Sequence, residues 1–525
     1  MVRQWFFFIA FLVIVTISLA AYFEPKVLWS MVILGPILVL GFHDSMQKEH
    51  TILRNFPILG HGRYLLESIR PEIQQYFIEM DTEGRPLSRE ERSVVYQRAK
   101  SELDTVPFGT QHDVYEPGYE WVNHSLNATQ APHDAPTVRV GGRDCTQPYD
   151  LSLFNVSAMS FGALSPTAVV ALNAGAKKGG FAHNTGEGGI SPYHDEPGGD
   201  LIWQIGTGYF GCRTLEGDFN PEMFKKNAAR ETVKMIEIKL SQGAKPGHGG
   251  ILPGAKVNAQ IAQIRGVEIG KDVLSPPTHR AFTNPIELCN FIAQLRELSG
   301  GKPVGFKLCV GRPEEFASIV KAMLQTGIKP DFITIDGKEG GTGAAPLEFS
   351  NSVGMPLREG LKLVHNTLRA AGIRKEITLI AAGKLVTGFH IFRALALGAD
   401  ACYSARGFML ALGCIQALRC NSNVCPTGVA TQNRALWIGL DPTLKSDRVY
   451  RYHKATVHSF LELAACAGLK DPRDVPAELL MRRIDESTIK TYAELHPVVP
   501  ENSFETGNCP DWIRIPWEHS VAERF

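Results

Sequence analysis

The chain has 525 residues, and its 54 lysines and arginines match 54 aspartates and glutamates, for a formal charge of zero. That balance gives no electrostatic reason to expect nucleic acid as a partner, and the 44% hydrophobic content supports a large buried core. Ten cysteines in so long a chain are too sparse for a disulfide scaffold.

From Trp5 to Phe23 no charged residue occurs (WFFFIAFLVIVTISLAAYF), and after Glu24, Pro25 and Lys26 a second uncharged run extends from Val27 to Phe42. A helix needs about 20 apolar residues to cross a bilayer, and fewer where the bilayer thins. The first run qualifies and the second is marginal; the short link predicts a transmembrane helical hairpin over residues 1–43. Arg3 precedes the pair while Lys48 and Arg54 follow it, so the positive-inside rule puts both ends and the remaining chain in the cytoplasm. Ser18-Leu19-Ala20 also fits a signal-peptide cleavage site. Against that, the first run is long for a signal core and another apolar run follows at once.

Residues 44–150 read as an N-terminal extension, with amphipathic helices packing on a larger body up to Lys100 and a Gly-, Pro- and His-rich, irregular or short-stranded stretch from Phe108 to Asp150. From Phe154 short apolar runs alternate with helical ones. Strands are predicted at FNVSAMS (Phe154), MIEIKLS (Met235), PVGFKLCV (Pro303), DFITIDG (Asp331), ITLIAAG (Ile377) and ADACYSA (Ala399), with FAHNTG at Phe181 as a further one. Helices are predicted at PTAVVALNAGAKKG, PIELCNFIAQLRELSG, EEFASIVKAMLQTG and FHIFRALALGA. Alternating βα units with glycine and polar residues after each strand indicate a parallel barrel or an open doubly wound sheet across residues 151–440. The tail, 441–525, reads as helices (YHKATVHSFLELAACAGL, PAELLMRRI) and a Pro-rich irregular end.

Two segments carry chemistry. In AAGKLVTGFHIFRALALGADACYSARG, one strand ends in Ala382-Gly383-Lys384 and the next in Ser404-Ala405-Arg406-Gly407. Adjacent strand ends of this kind offer backbone N–H groups and a helix N-terminus to a phosphate. Small residues let the phosphate reach the backbone, and Arg406 adds charge; the spacing resembles the phosphate site of FMN-binding barrels. In GCIQALRCNSNVCPTGVATQ, Cys414, Cys420 and Cys425 stand in C-x5-C-x4-C spacing. Thiolates are the usual protein ligands of iron–sulfur clusters, and the x2 separations of common zinc sites are absent. Three ligands from one segment suit a cluster with one corner missing or unliganded. The other seven cysteines read as small buried hydrophobes. Asp336 and His279 fall at expected strand ends, where either is a candidate for proton transfer.

SAMSFGALS (Ser157–Ser165), NTGEGG (Asn184–Gly189), EIKLSQGAKPGHGGILPGAKV (Glu237–Val257), SPPTH (Ser275–His279), DGKEGGTGAAPL (Asp336–Leu347) and the cysteine segment occur in this order. Together they resemble the FMN/iron–sulfur domain of glutamate synthases, over roughly Phe154 to Leu436. The resemblance implies an α/β fold, a (β/α)8 TIM barrel binding FMN. It implies that Cys414, Cys420 and Cys425 ligate a [3Fe–4S] cluster, and that Met159, Ser160, Gly383, Lys384, Leu385, Ala405 and Arg406 contact FMN, with Lys307 approaching the flavin ring. Glu187, Lys239, Gln242 and Lys245 would line a 2-oxoglutarate pocket. A dicarboxylate over a flavin needs cationic donors, which Lys239 and Lys245 supply from one strand end and its loop, and a reduced flavin benefits from a nearby lysine.

A glutamine-dependent member carries an amidotransferase domain with an N-terminal cysteine nucleophile, whereas this chain starts Met1-Val2-Arg3. The expectation is therefore that ammonia arrives free or from an amidotransferase partner, or that another amine is used. The leading expectation is reductive amination of 2-oxoglutarate: ammonia forms the imine, reduced FMN delivers hydride, and ferredoxin or a pyridine-nucleotide-oxidising donor supplies electrons through the cluster. The alternatives are an N-substituted glutamate synthase, an amine-oxidising flavoenzyme, or a non-enzymatic membrane flavoprotein that relays electrons.

Overall fold

The computed structural model describes residues 2–525, which divide at Arg89/Glu90 into two compact units. In the first, the helix Val2–Phe23, the 3-10 turn Pro25–Ser30 and the helix Met31–Met46 follow one another. Phe6 and Phe7, at the start of the first helix, meet Phe42 near the end of the second at ring distances of 5.4 and 5.9 Å. The two therefore run antiparallel, and both spans are long and apolar enough to cross a membrane. Asp44 is fully buried at the end of this hairpin, where its carboxylate accepts the Ile58 N–H at 2.9 Å and meets His61 Nε2. The helix Gly60–Ile73 follows, with Leu65, Leu66 and Ile69 exposed rather than buried.

In the second unit the strands are, in chain order, β1 (Glu120–Val122), β2 (Thr137–Val140), β3 (Tyr149–Ser152), β4 (Phe154–Val156), β5 (His183–Asn184), β6 (Leu201–Ile205), β7 (Val233–Lys239), β8 (Ile251–Leu252), β9 (Val273–Leu274), β10 (Val304–Leu308), β11 (Phe332–Asp336), β12 (Thr378–Ala382), β13 (Ala401–Ser404), β14 (Leu480–Arg483) and β15 (Ile489–Thr491). Eight of them close a parallel barrel in the order β4-β5-β6-β7-β10-β11-β12-β13, with β13 pairing back to β4. The architecture is the expected parallel barrel, not the open sheet. Parallel strands are covered on both faces, which is why their sequences read as continuous apolar runs rather than alternating ones; every residue of β10 and β11 is buried. The hairpin β2–β3 closes the N-terminal end, where Val140 and Leu151 share a core cluster with Ile202, Met235, Phe332 and Ile380.

The helices between strands start where their caps dictate. Ser165 accepts the Ala168 N–H with Pro166 in the first turn, and left-handed Gly180 ends that helix. Asn284 and Thr387 cap the helices Pro285–Leu298 and Gly388–Ala396 in the same way.

Three readings need correction. The strand β6 (LIWQI) has no counterpart among the predicted strands, because Gln204 interrupts a short apolar run. In the barrel that side chain points inward and donates to Glu237 at 2.7 Å. PAELLMRRI is a 3-10 turn followed by β14, not a helix: it pairs antiparallel with β1 and β15, so sheet partners far away in sequence outweigh its local helix propensity. Of the seven scattered cysteines, Cys212, Cys289, Cys309 and Cys402 are buried, but Cys466 is exposed and Cys145 and Cys509 are partly so.

Candidate functional site

All the residues singled out from the sequence lie at or beyond the C-terminal ends of barrel strands or on the segments that follow them. This is the face where barrels of this type assemble their chemistry. β12 and β13 are hydrogen-bonded neighbours, with Ala382 opposite Tyr403, so Gly383–Leu385 and Ala405–Arg406 emerge side by side. Gly383 and Lys384 both take left-handed backbone angles, with φ of 138° and 56°. Ser404 Oγ donates to the Leu385 carbonyl at 2.5 Å and Tyr452 Oη to the Val386 carbonyl at 2.9 Å, fixing this turn. The Arg406 guanidinium donates to the Glu339 carbonyl of the β11 loop. A cavity of about 300 Å3 opens beside these ends, lined among others by Glu91, Glu339, Lys384 and His390. Lys384 Nζ stands 3.3 Å from the Glu91 carboxylate. Small residues, turned peptide groups and cationic side chains at two adjacent strand ends are the chemistry an FMN phosphate requires.

Lys307 in β10 is buried and lies 3.1 Å from the Asp336 carboxylate at the end of β11. Burial alone would pull its pKa down, but Asp336 and Glu237 outweigh that and raise it, so this ammonium stays charged inside the barrel mouth. Asp336 Oδ2 also accepts the Gly243 N–H at 3.1 Å. His279 is not at a barrel strand end. It lies between β9 and the helix Pro285–Leu298, with Nδ1 3.0 Å from Tyr209 Oη and Nε2 2.9 Å from the Lys239 carbonyl. Both ring nitrogens are engaged and burial lowers its pKa to about 4, which suits a neutral positioning group better than a proton shuttle.

Glu187, after β5, and Lys239, the last residue of β7, form an ion pair at 2.9 Å with side chains 16% and 9% exposed. Burial raises the Glu187 pKa, yet Lys239, Arg265 and Lys245 bring it below the ordinary carboxylate value. Lys245 is buried and donates to the Ala344 carbonyl at 2.8 Å. Burial, reinforced by repulsion from Lys239, lowers its pKa to about 8. Gln242 lies in the same loop, its carbonyl accepting the Lys245 N–H at 3.3 Å. Gly250 lets this loop close over Glu187: a Cβ there would stand 2.3 Å from Glu187 Oε1.

Arg265 belongs to this group and was not visible in the sequence, because it ends a short helix, Ala259–Arg265, with no motif around it. Its guanidinium donates to the Phe161 carbonyl at 3.0 Å and Ser160 Oγ at 3.3 Å, while its buried Nε has no partner among the described residues. The Met159–Ser160 turn thus abuts the charged cluster. Gly186 makes the approach possible: its φ is 65° and a Cβ would meet the Ser160 backbone nitrogen at 2.6 Å. Gly186→Ala is expected to cost about 1–3 kcal/mol of stability, read as a lowered thermal midpoint.

The cysteine segment lies beyond the helix Arg406–Leu412. Among the described residues no group of three or more His, Cys, Asp or Glu is arranged to hold a single metal ion. A cluster makes a different demand, since inorganic sulfides separate the irons and each thiolate holds one corner. Cys414, Cys420 and Cys425 are close enough for their charges to interact. Burial raises Cys414 to about 12 and raises Cys420 as well. At Cys425 burial is outweighed by hydrogen bonds from Thr427 and from the backbone of Ala430, Thr427 and Val429, which lower its pKa. Three thiols near enough to interact, Cys425 buried and Cys414 and Cys420 half-buried, with backbone N–H donors gathered at Cys425, are compatible with an iron–sulfur group.

A model of the conserved region in glutamate synthase matches residues 130–470. The glutamate synthase large subunit-like protein YerD of Bacillus subtilis is 39% identical over 488 residues, 85% of this chain and 92% of that protein. An archaeal glutamate synthase [NADPH] of Methanocaldococcus jannaschii is 37% identical over 319 residues, 60% of this chain and 58% of that protein. The glutamate synthase [NADPH] large chain of Bacillus subtilis is 35% identical over 328 residues, 60% of this chain but only 20% of that protein.

Proposed function

The chain belongs to the glutamate synthase family, and from that premise we propose a membrane-anchored, FMN-dependent iron–sulfur oxidoreductase that reductively aminates 2-oxoglutarate to glutamate. The observation that carries this reading is the buried cationic cluster of Lys239, Lys245 and Arg265 around Glu187, beside the Met159–Ser160 turn. A dianionic keto acid is the substrate such a cluster favours, since each carboxylate gains a charge-assisted donor in a site screened from water.

Met159, Ser160, Gly383, Lys384, Leu385, Ala405 and Arg406 would hold FMN, and Cys414, Cys420 and Cys425 a [3Fe–4S] cluster. Bound there, the flavin supplies the hydride and the cluster the single electrons that restore it, drawn from ferredoxin or a pyridine-nucleotide-oxidising donor. Lys239 and Lys245 bind the keto acid, Glu187 orients Lys239 and accepts from the incoming amine, and Lys307 offsets negative charge on the flavin ring. The hairpin of residues 1–43 anchors the cytoplasmic barrel of residues 151–440, and the amine is ammonia, free or from an amidotransferase partner.

Purified full-length protein given reduced ferredoxin, 2-oxoglutarate and ammonium or glutamine is expected to form glutamate; no product with either amine sinks the proposal. Turnover with methylamine alone would mark an N-substituted glutamate synthase instead. Lys245 is charged below about pH 8 and loses its proton above it. Because the charged form binds the dicarboxylate, kcat/KM for 2-oxoglutarate should fall on the alkaline side of about pH 8. Lys245→Met should abolish that limb; an unchanged pH profile in the variant would show that another group sets it.

A further inference from the structure

Lys256 ends the 3-10 turn Gly254–Lys256, in the long excursion between β7 and β10. It is one of the largest fully buried side chains, 2% exposed. Its ammonium donates to the Ala163 carbonyl at 3.2 Å and the Ala430 carbonyl at 2.8 Å. Neither acceptor is charged. Lys239 and Lys307, the other lysines buried near the mouth in ion pairs, have Glu187 and Asp336 beside them. Among the described residues no carboxylate stands within ion-pair distance of Lys256. Burying an ammonium with no opposite charge is strongly unfavourable, so the site calls for a negative group.

The candidates for that group are sulfur. Burial pulls the Lys256 pKa down, and Cys420 and Cys425, once held as thiolates, would oppose that pull. The contact is close to the cysteine segment in covalent terms as well: Ala430 gives its N–H to Cys425 and its carbonyl to Lys256. Asn423 Nδ2, between Cys420 and Cys425, donates to the Ala255 carbonyl at 2.9 Å. The second acceptor, Ala163, belongs to the loop after β4 that carries Met159 and Ser160. That loop is tied to the cysteine segment again by Gln432 Nε2, which donates to the carbonyls of Leu164 at 2.7 Å and Gly162 at 3.2 Å, and by the Ser165 N–H on the Val429 carbonyl at 2.9 Å.

We infer that Lys256 is the counter-cation of the three-cysteine centre and the positioning residue that clamps it to the Met159–Ser160 loop, so that its charge sets the centre's reduction potential. The inference rests on the cluster assignment proposed above. One-electron reduction adds a negative charge to a thiolate-ligated cluster, and a fixed buried cation favours the reduced form. Removing the charge lowers the potential.

The test is a redox titration of anaerobically purified full-length protein followed by electron paramagnetic resonance, with iron and acid-labile sulfide measured on each sample. Lys256→Gln is expected to keep iron, sulfide and flavin and to shift the cluster midpoint to a more negative value, while Lys256→Arg keeps the wild-type midpoint. An iron-loaded Lys256→Gln protein with an unchanged midpoint overturns the inference, as does an arginine variant shifted as far as the glutamine one. If the glutamine variant cannot hold iron, retention of iron at the wild-type midpoint in the arginine variant supports the role of charge, and loss from both overturns it. Wild-type protein without iron and sulfide would overturn the cluster assignment itself, a result distinct from all of these.

Discussion

Replacing Lys239 with methionine is expected to lower kcat/KM for 2-oxoglutarate by about 10²-fold while leaving flavin content unchanged. The strand pairing that sets Lys239 opposite Lys307 fixes its backbone, and methionine keeps most of the aliphatic stem, so the barrel has no reason to rearrange. What is lost is a charged hydrogen bond at 2.9 Å in a nearly closed site, and bonds of that type contribute about 1.5–3 kcal/mol each. The loss extends to Glu187, because after burial Lys239 is the strongest influence on its pKa and acts to lower it. In the variant Glu187 should therefore protonate at higher pH, moving the acid limb of the activity profile upward. Steady-state kinetics together with titration of the flavin spectrum by 2-oxoglutarate would check this. Wild-type affinity and turnover in the methionine variant would remove Lys239 from the site.

Glu120→Ala is expected to destabilise the second unit strongly, by about 3 kcal/mol, because it removes the one buried carboxylate shared by three half-buried arginines. Glu120, in β1, has a side chain 8% exposed and accepts from Arg393 at 2.8 Å, Arg482 at 3.3 Å, Tyr492 Oη at 2.6 Å and the Arg358 guanidinium. One carboxylate thus joins β1 and β14 to the helices Leu357–Ala370 and Gly388–Ala396, which pack on the barrel. Burial pushes its pKa up, but Arg393 and Arg358 outweigh that and hold it below the ordinary carboxylate value. Since the folded value is depressed, the stabilisation is present above the unfolded carboxylate pKa and is lost as pH falls through the folded one. Urea midpoints measured from neutral pH down through this acid range should converge for wild type and Glu120→Gln as the wild-type carboxylate protonates. Parallel curves at every pH would show that the arginines do not depend on its charge.

Much of the barrel was legible because its strands are buried on both faces. FITID and VGFKL carry that requirement in their own composition, and Ser165-Pro166 and Asn284-Pro285 announce the helices that follow. LIWQI was not legible, since Gln204 is acceptable in a strand only when a partner such as Glu237 waits inside the barrel. PAELLMRRI failed for the opposite reason, with good helix formers drawn into a sheet by β1. At the site, motif residues such as Lys239 and Arg406 stood out from their neighbours. Arg265 and the burial of Lys256 did not, because a charge at the end of a short helix or turn looks like a solvated one until the fold encloses it.

By itself, the sequence determined seven of the eight barrel strands in order and which loops carry glycine, lysine and cysteine, since apolar runs and caps act over a few residues. Only the tertiary structure decided which charges meet: Glu187 with Lys239, Lys307 with Asp336, Glu120 with three arginines, and Lys256 with no carboxylate among the described residues. Ion pairs and buried charges depend on distance and on exclusion of water, and both arise only when strands remote in the chain close into one barrel.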